Sequence, residues 1–150
     1  MRIILQRVSR ASVSIGGEMH SSIGHGLMVL VGVEQGDTEA DALWLAAKTA
    51  ALRIFPDGEG VMNRSVLDAG GEILAVSQFT LTASTRKGNR PSYIRAAAHD
   101  LATPLYQLYC DELSRITSRT TRQGVFGADM QVELINDGPV TIMIDSRLRE

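Results

Sequence analysis

The sequence predicts an α/β domain, organised as an α+β layered fold with a mixed β-sheet and two main helices. Short apolar segments bounded by glycine turns fill the first third of the chain, as is typical of strands. Two longer segments with apolar residues at helical spacing then alternate with further strands, giving the order strands, helix, strand, helix, strands. The 150 residues suit one domain, from 1 to 150, with a hydrophobic core of its own.

The strands are predicted from apolar alternation and from turn signals. Residues 1–14 mix apolar and polar side chains, and Gly16-Gly17 then marks a turn before a strand over 18–23. Residues 27–33 are apolar almost throughout, so we expect a strand that is covered on both faces. Further strands are predicted at 72–77, 132–135 and 140–144.

The helices are predicted from apolar stripes and end signals. The first begins after Thr38, an N-cap residue with Asp41 three positions later, and a turn at 55–58 should end it. The second runs over residues 100–116, with Pro104 in its first turn, where a missing N–H costs little. The predicted inner stripes are Leu43, Ala46, Ala47, Ala50 and Ala51 in the first helix and Leu105, Tyr109, Leu113 and Ile116 in the second.

Composition limits the possible functions. The net charge of −2 disfavours a broad, non-specific nucleic-acid surface, so any RNA contact must be local and no DNA partner is expected. The apolar runs are too short to span a bilayer, and the N-terminal segment lacks the pattern of a signal peptide, so we expect a cytoplasmic protein without membrane contact. The single cysteine, Cys110, is expected to be a buried apolar residue rather than a nucleophile.

Side chains for common catalytic mechanisms are scarce. The three histidines, His20, His25 and His99, have no partner at metal-ligand spacing, and His20 and His25 flank a turn where exposure is expected. We find no nucleophile elbow, phosphate-binding loop or dinucleotide-binding fingerprint, so we predict no metal and no cofactor. For catalysis, an enzyme of this composition is expected to use backbone groups and groups of its substrate.

The first segment with possible chemistry is Ser77, Gln78, Phe79 and Thr80, followed by Leu81, at the end of a predicted strand. Polar residues and unpaired backbone N–H groups at a strand end can hold an oxyanion. The simpler alternative is that these side chains only hydrogen-bond the strand terminus.

The second segment, residues 136–141, has the sequence Asn-Asp-Gly-Pro-Val-Thr, which is strong turn chemistry. A plain hairpin is the ordinary interpretation. The more specific hypothesis is a cis peptide bond between Gly138 and Pro139, which is uncommon for X–Pro bonds in folded proteins.

The third segment is basic. Arg86, Lys87, Arg90 and Arg95 lie between Ser84 and Arg95 without any acidic residue. In a protein of net negative charge this is a local positive patch suited to RNA phosphates, and a solvated loop is the alternative.

Together these segments closely resemble the D-aminoacyl-tRNA deacylase family of the bacterial and eukaryotic type. Its two hallmark motifs, of the forms SQFTL and NDGPVT, are both present verbatim, and further matches follow in order along almost the whole chain. The combination is far more specific than any motif alone. The other matching segments are residues 5–8, 11–13, 53–55, 62–63, 86–92 and 126–132.

The resemblance implies a compact fold with a partial barrel that forms a homodimer with two active sites at its interface. The Gly138-Pro139 bond would be cis and would enter the partner's site, where it would provide chiral selectivity. Arg7 would brace this loop, and residues 77–80 would line the pocket. Phe126 and Met130 would lie near the terminal adenosine of the RNA.

The resemblance also implies an activity: hydrolysis of the ester of D-aminoacyl-tRNA, and of mischarged glycyl-tRNA(Ala), at the 3′ end. Backbone N–H groups would stabilise the oxyanion, with help from the ribose 2′-hydroxyl, because no base is evident beside Thr80. The chain departs from the family pattern at 82–85 and at Tyr93, where phenylalanine is common. Two alternatives remain: a non-catalytic RNA-binding module and an esterase with a Ser-His-Asp triad.

Overall fold

The computed structural model describes residues 1–149, in which a curved mixed sheet packs against two helices. The predicted mixed sheet and its two main helices are thus confirmed. The elements are β1 (Arg2–Ile15), β2 (Glu18–Ile23), β3 (Gly26–Gly32), α1 (Glu39–Ala51), β4 (Phe55–Pro56), β5 (Met62–Arg64), β6 (Glu72–Ser77), a short 3₁₀ helix (Phe79–Thr82), α2 (His99–Thr117), β7 (Arg122–Gln123) and β8 (Gln131–Asp145).

The long strand β1 organises the sheet. Along one edge its first half pairs with β3 and its second half with β2, while β8 pairs with both halves along the other edge, all antiparallel. Beyond β3 the order continues through β6 and β7, which are both parallel to their neighbours. The Ser21 hydroxyl donates to the carbonyl of Gln123 at 2.8 Å, so β2 approaches β7 and the sheet curls towards a barrel.

The core lies on both faces of β3. Leu27, Val29 and Val31 belong to the larger apolar cluster, which includes the inner faces of the two helices. Met28 points to the opposite face, where it joins a smaller cluster with Val8 and other residues inside the curve of the sheet. The prediction of a strand covered on both faces is confirmed.

Helix α1 begins as predicted but buries a different face. The Asp41 carboxylate accepts hydrogen bonds from the backbone N–H (2.8 Å) and hydroxyl (2.9 Å) of Thr38. The predicted stripe was wrong at Leu43, Ala47 and Ala51, which are exposed. The buried face consists of Ala42, Leu45, Ala46, Thr49 and Ala50.

The reason for this error lies in Thr49. Its hydroxyl donates to the carbonyl of Leu45 at 2.8 Å and bonds the hydroxyl of Tyr109 at 2.9 Å, so a polar side chain is satisfied inside the core. Because α1 is apolar on several sides, hydrophobic periodicity alone favoured the neighbouring stripe.

The segment after α1 also differs from the prediction. Residues 55–58 do not form a turn that ends the helix, because α1 ends at Ala51 and Phe55–Pro56 pairs with Met62–Arg64 as a two-stranded ribbon. Phe55 is fully buried, which explains why the chain extends into the core at this point.

Helix α2 contacts α1 with the predicted face: Leu105, Tyr109 and Leu113 are buried, and Ile116 is partly buried. It begins one residue early, at His99, so that Pro104 lies in the second turn and not in the first. Neither helix found among residues 1–149 is long and apolar enough to cross a membrane.

Strand β8 replaces the two separate strands predicted near the C-terminus. Both parts pair with β1 in the same direction, which excludes a hairpin at the Asn-Asp-Gly-Pro segment. Val8 pairs with Asn136 and Gln6 pairs with Thr141, so one residue of β1 faces four residues of β8, 137–140. This segment is a large bulge in a continuous strand.

We predict that Leu45→Ala lowers the free energy of unfolding by about 2–5 kcal/mol, because it opens a cavity between α1 and the core. The matched variant Leu43→Ala should change it by about 0.5 kcal/mol or less, since Leu43 is 39% exposed and Leu45 is 0% exposed. Urea unfolding followed by circular dichroism measures both. A larger effect at Leu43 would show that the helix buries the other face.

Candidate active site

The end of β6 forms the first wall of the candidate site. The apolar strand ends at Ser77, and a 3₁₀ turn begins at Phe79 after the N–H of Gln78 donates to the carbonyl of Val31 at 2.7 Å. The first N–H groups of a helical turn, here those of Phe79 and Thr80, have no acceptor within the turn. They are therefore the backbone donors that this strand end offers.

Glycine at position 32 allows the 3₁₀ turn to approach β3. A Cβ atom there would lie 3.0 Å from the carbonyl oxygen of Gln78 and 3.0 Å from the Cβ of Leu81. Within the turn, the side-chain amide of Gln78 donates to the hydroxyl of Thr80. The Thr80 oxygen thus has a hydrogen-bond donor as its neighbour.

A cavity of about 420 Å³ opens beside this turn. Of the predicted pocket residues, Ser77, Gln78 and Phe79 line it together with Phe126 and Met130, although about fifty residues separate the two groups, and Thr80 is not among the lining residues. The remaining lining residues are Val31, Val33, Val76, Ala97, His99, Ala102, Gly127, Ala128, Asp129 and Val132.

The opposite wall of the cavity is held by aromatic and sulfur contacts. The Phe126 ring packs edge to face with His99, at 4.9 Å between centroids, and lies 5.8 Å from Tyr106. The Met130 sulfur accepts from the N–H of Val125 at 3.4 Å, and a Cβ at Gly124 would come within 2.5 Å of it. A glycine at 124 is therefore required for this position of Met130.

Sequence reasoning did not place His99 or Asp129 at the cavity. His99 stands at the start of α2, and its Nδ1 lies 3.2 Å from the Thr103 hydroxyl. No local motif marked these residues, because their place in the cavity depends on where α2 and the 124–130 segment meet β6.

Arg7 holds the bulge of β8 from the neighbouring strand. Its Nε donates to the carbonyl of Asp137 at 3.0 Å, and its Nη1 donates to the carbonyl of Ile54 at 2.6 Å. The same guanidinium lies 3.6 Å from the Asp137 carboxylate. One nearly buried arginine therefore ties the bulge to β1 and to the segment after α1.

Asn136 closes the base of the bulge. Its Nδ2 donates to the carbonyls of Arg7 (3.2 Å) and Val140 (2.9 Å), which lie where the ladder between β1 and β8 is interrupted. The tip, Gly138-Pro139, is exposed, and its peptide bond is cis. Gly138 has a φ of +129°, and a Cβ there would lie 2.7 Å from Arg7 Nη2. The tip does not line the cavity of its own chain.

The basic segment forms an exposed loop. Backbone hydrogen bonds between Ser84 and Ser92, at 2.8 and 2.9 Å, close its base, and Arg86, Lys87 and Arg90 are exposed on its tip. Arg95 differs, because its guanidinium lies 2.6 Å from the buried carboxylate of Glu34. That pairing raises the pKa of Arg95 through the hydrogen bond and the charge of Glu34.

The remaining reactive side chains lie where the sequence predicted. Cys110 is buried in the core, and burial raises the pKa of its thiol to about 12, so the nucleophilic thiolate is absent at neutral pH. His20 and His25 are exposed, and His25 packs edge to face on Phe55 at 5.1 Å.

Two solved structures share this fold. One, named c-Myc DNA Unwinding Element Binding Protein, is 40% identical, with a TM-score of 0.90 over 97% of this chain and 98% of that chain. The other is described as a probable eukaryotic D-amino acid tRNA deacylase. It is 17% identical, with a TM-score of 0.82 over 95% and 97% of the two chains, a likeness that concerns the fold alone.

Sequence identity to named relatives is higher still. Proteins named D-aminoacyl-tRNA deacylase from Porphyromonas gingivalis and Parabacteroides distasonis are 59% and 57% identical over 150 residues, which is the full length of each chain. One from Akkermansia muciniphila is 58% identical over the same span. The family model for D-Tyr-tRNA(Tyr) deacylase matches residues 4–145. The chain therefore belongs to this family of deacylase enzymes.

Proposed function

We propose that this protein hydrolyses the ester bond between a D-amino acid and the 3′ end of tRNA, releasing the free D-amino acid. The observation that carries the proposal is the cavity that residues 77–79, at the end of a strand, line together with the apolar side chains of Phe126 and Met130. The backbone donors of the strand end suit an ester carbonyl, and the apolar side chains suit the terminal adenosine.

The reaction passes through a tetrahedral intermediate that carries a negative oxygen. The N–H groups of Phe79 and Thr80 stabilise this oxygen, and a well-placed donor of this kind contributes about 2.7–4 kcal/mol in other enzymes. The hydroxyl of Thr80 is not the nucleophile in this proposal, because its neighbour, the Gln78 amide, donates a hydrogen and accepts no proton. Water attacks with help from the ribose 2′-hydroxyl of the substrate.

Selection of the D form is assigned to the Gly138-Pro139 tip. In a homodimer each tip enters the cleft of the partner, where its main chain excludes the side chain of an L-amino acid. A D side chain points to open space, and glycine, which has no side chain, is not rejected, so glycyl-tRNA(Ala) is also a substrate. The contacts that Arg7 and Asn136 make support a tip rigid enough for this role.

Exposed apolar residues support the homodimer. Strand β8 pairs only with β1 among the described residues, and edge strands of this kind are commonly covered. It exposes Val132, Ile135 and Met143. A second copy that covers this surface would bring the exposed tip close to a neighbouring active site.

The RNA partner is the 3′ end of tRNA, with Arg86, Lys87 and Arg90 near its phosphates. The net charge of −2 and the three exposed cations of this acid-free loop support local contact with RNA, and we propose no DNA partner. We place the enzyme in the cytoplasm, where charged tRNA is used.

The direct test is release of D-tyrosine from D-Tyr-tRNA by the purified protein. We expect rapid hydrolysis, with L-Tyr-tRNA left intact at the same enzyme concentration. Binding of the RNA without hydrolysis would support the RNA-binding module instead, and loss of activity on treatment with a serine-directed covalent inhibitor would support the triad esterase. Equal cleavage of both enantiomers would contradict chiral selection.

We predict that Thr80→Ala retains substantial activity, within about tenfold of the wild type in kcat, because the backbone donors remain in place. Removal of a true nucleophile costs far more, roughly 10⁶-fold in a well-studied serine protease. Single-turnover hydrolysis of D-Tyr-tRNA measures the effect, with the exposed Thr120→Ala as the control. A loss of several orders of magnitude in a folded variant would assign direct chemistry to Thr80.

We predict that Arg7→Met lowers the free energy of unfolding by about 1–3 kcal/mol, since the buried carbonyl of Ile54 loses its donor. The variant should also lower the ratio of D-Tyr-tRNA to L-Tyr-tRNA cleavage, because the tip is no longer braced. Arg10→Met is the matched control on the same strand: its side chain is 62% exposed, against 10% for Arg7, and pairs with exposed Glu133. Equal effects of the two variants would contradict the bracing role.

A further inference from the structure

Two exposed aromatic rings, Phe79 and Tyr93, lie between the cavity and the basic loop. Their centroids are 5.1 Å apart and their planes are inclined by 71°. Phe79 is 56% exposed and lines the cavity, while Tyr93 is 40% exposed and directly follows the segment that closes the basic loop. We call this pair the aromatic step. Phe79 places the step at the cavity, and Tyr93 places it next to the base of the basic loop.

Hydrogen bonds and an ion pair hold the backbone on both sides of Tyr93. The paired backbone of Ser84 and Ser92 holds the residue before Tyr93, and the side-chain amide of Gln35 donates to the carbonyl of Ile94, next to Tyr93, at 2.8 Å. The ion pair between Glu34 and Arg95 anchors the chain one residue further on. An exposed ring on such a support presents its apolar surface to solvent at a defined place.

Exposed rings beside a row of cations are the combination that binds single-stranded nucleic acid. Bases stack on the rings while arginine and lysine side chains neutralise the phosphates. The segment between 84 and 95 contains no acidic residue that would repel phosphate. A second copy of this chain is a poor occupant, because a contact centred on the step would bring two basic loops together.

We infer that the aromatic step stacks the unpaired nucleotides that precede the terminal adenosine of the RNA substrate. This inference rests on the proposed function, since it takes the 3′ end of tRNA as the substrate. The terminal nucleoside occupies the cavity, the strand crosses Phe79 and Tyr93, and its phosphates then meet Arg86, Lys87 and Arg90. Tyr93 is a specificity-determining residue for RNA and takes no part in the chemistry.

The test compares two substrates that share the scissile ester: D-Tyr-tRNA and 3′-O-D-tyrosyl-adenosine, which lacks the preceding nucleotides. For Tyr93→Leu we expect the ratio of kcat/KM for the tRNA to that for the adenosine ester to fall about tenfold, the effect of one lost base stack. Tyr93→Phe, which keeps the ring, should retain the wild-type ratio. An unchanged ratio in Tyr93→Leu, or a parallel fall for both substrates, would overturn the inference.

Two further measurements separate the remaining outcomes. Sedimentation velocity of Tyr93→Leu should match the wild type. If the wild type is a dimer and the variant dissociates, the step is instead a contact with a second copy.

If wild-type protein hydrolyses neither substrate, the proposed function fails. Anisotropy of a fluorescent tetranucleotide with the sequence of the tRNA 3′ end then tests the stacking role by itself. Weaker binding by Tyr93→Leu than by Tyr93→Phe supports the stacking role, and equal binding refutes it.

Discussion

The antiparallel pairing of β1 with β8 is the constraint that determines where the Gly138-Pro139 tip leaves the sheet and how Arg7 and Asn136 hold it. Strand β1 pairs along one edge with β2 and β3 and along the other with β8, so most of its side chains are positioned by neighbours on both sides. The ladder is interrupted at Arg7, which faces four residues of β8, and a second register shift follows between Val8 and Arg10. At the same interruption the Asn136 amide donates to the carbonyls of Arg7 and Val140. The exposed tip is thus a consequence of the strand register, and it is held on both sides by polar contacts.

The cavity depends on a second constraint, which is the close approach of backbone segments at glycine. Gly32 admits the 3₁₀ turn against β3, and Gly124 admits the sulfur of Met130. Larger side chains at these positions would displace either wall and change the distance between the backbone donors and the apolar surface. Catalysis that relies on main-chain N–H groups requires such fixed walls, because donors of this kind cannot be reoriented by a change of side-chain rotamer.

Sequence patterns predicted correctly the elements that nearby residues determine. The predictions were wrong where contacts between distant residues determine the structure. The buried character of β3 and the N-cap at Thr38 follow from nearby residues alone. The buried face of α1 does not, because it depends on the hydroxyl of Tyr109 from α2, which satisfies Thr49. The bulge in β8 resembles a hairpin locally, and only its pairing with β1 on both sides distinguishes the two. At the site, the family resemblance placed residues 77–80 and Phe126 near one another, and residues 77–79 line the same cavity as Phe126, while His99 carried no signal. Its position arises from the packing of α2 against β6.

Charge and shape together explain how a protein of net charge −2 can act on RNA. A broad basic surface binds any backbone phosphate, and its affinity gives little information about which part of the RNA is bound. In this protein the exposed cations of the loop are few and adjoin two aromatic rings, beyond which lies a cavity of nucleoside size. The bases of a duplex stack on one another and cannot stack on the rings. An unpaired 3′ end can supply phosphates, bases and a terminal nucleoside in that order. A basic loop next to exposed rings and a cavity therefore favours the end of the strand over the rest of the molecule.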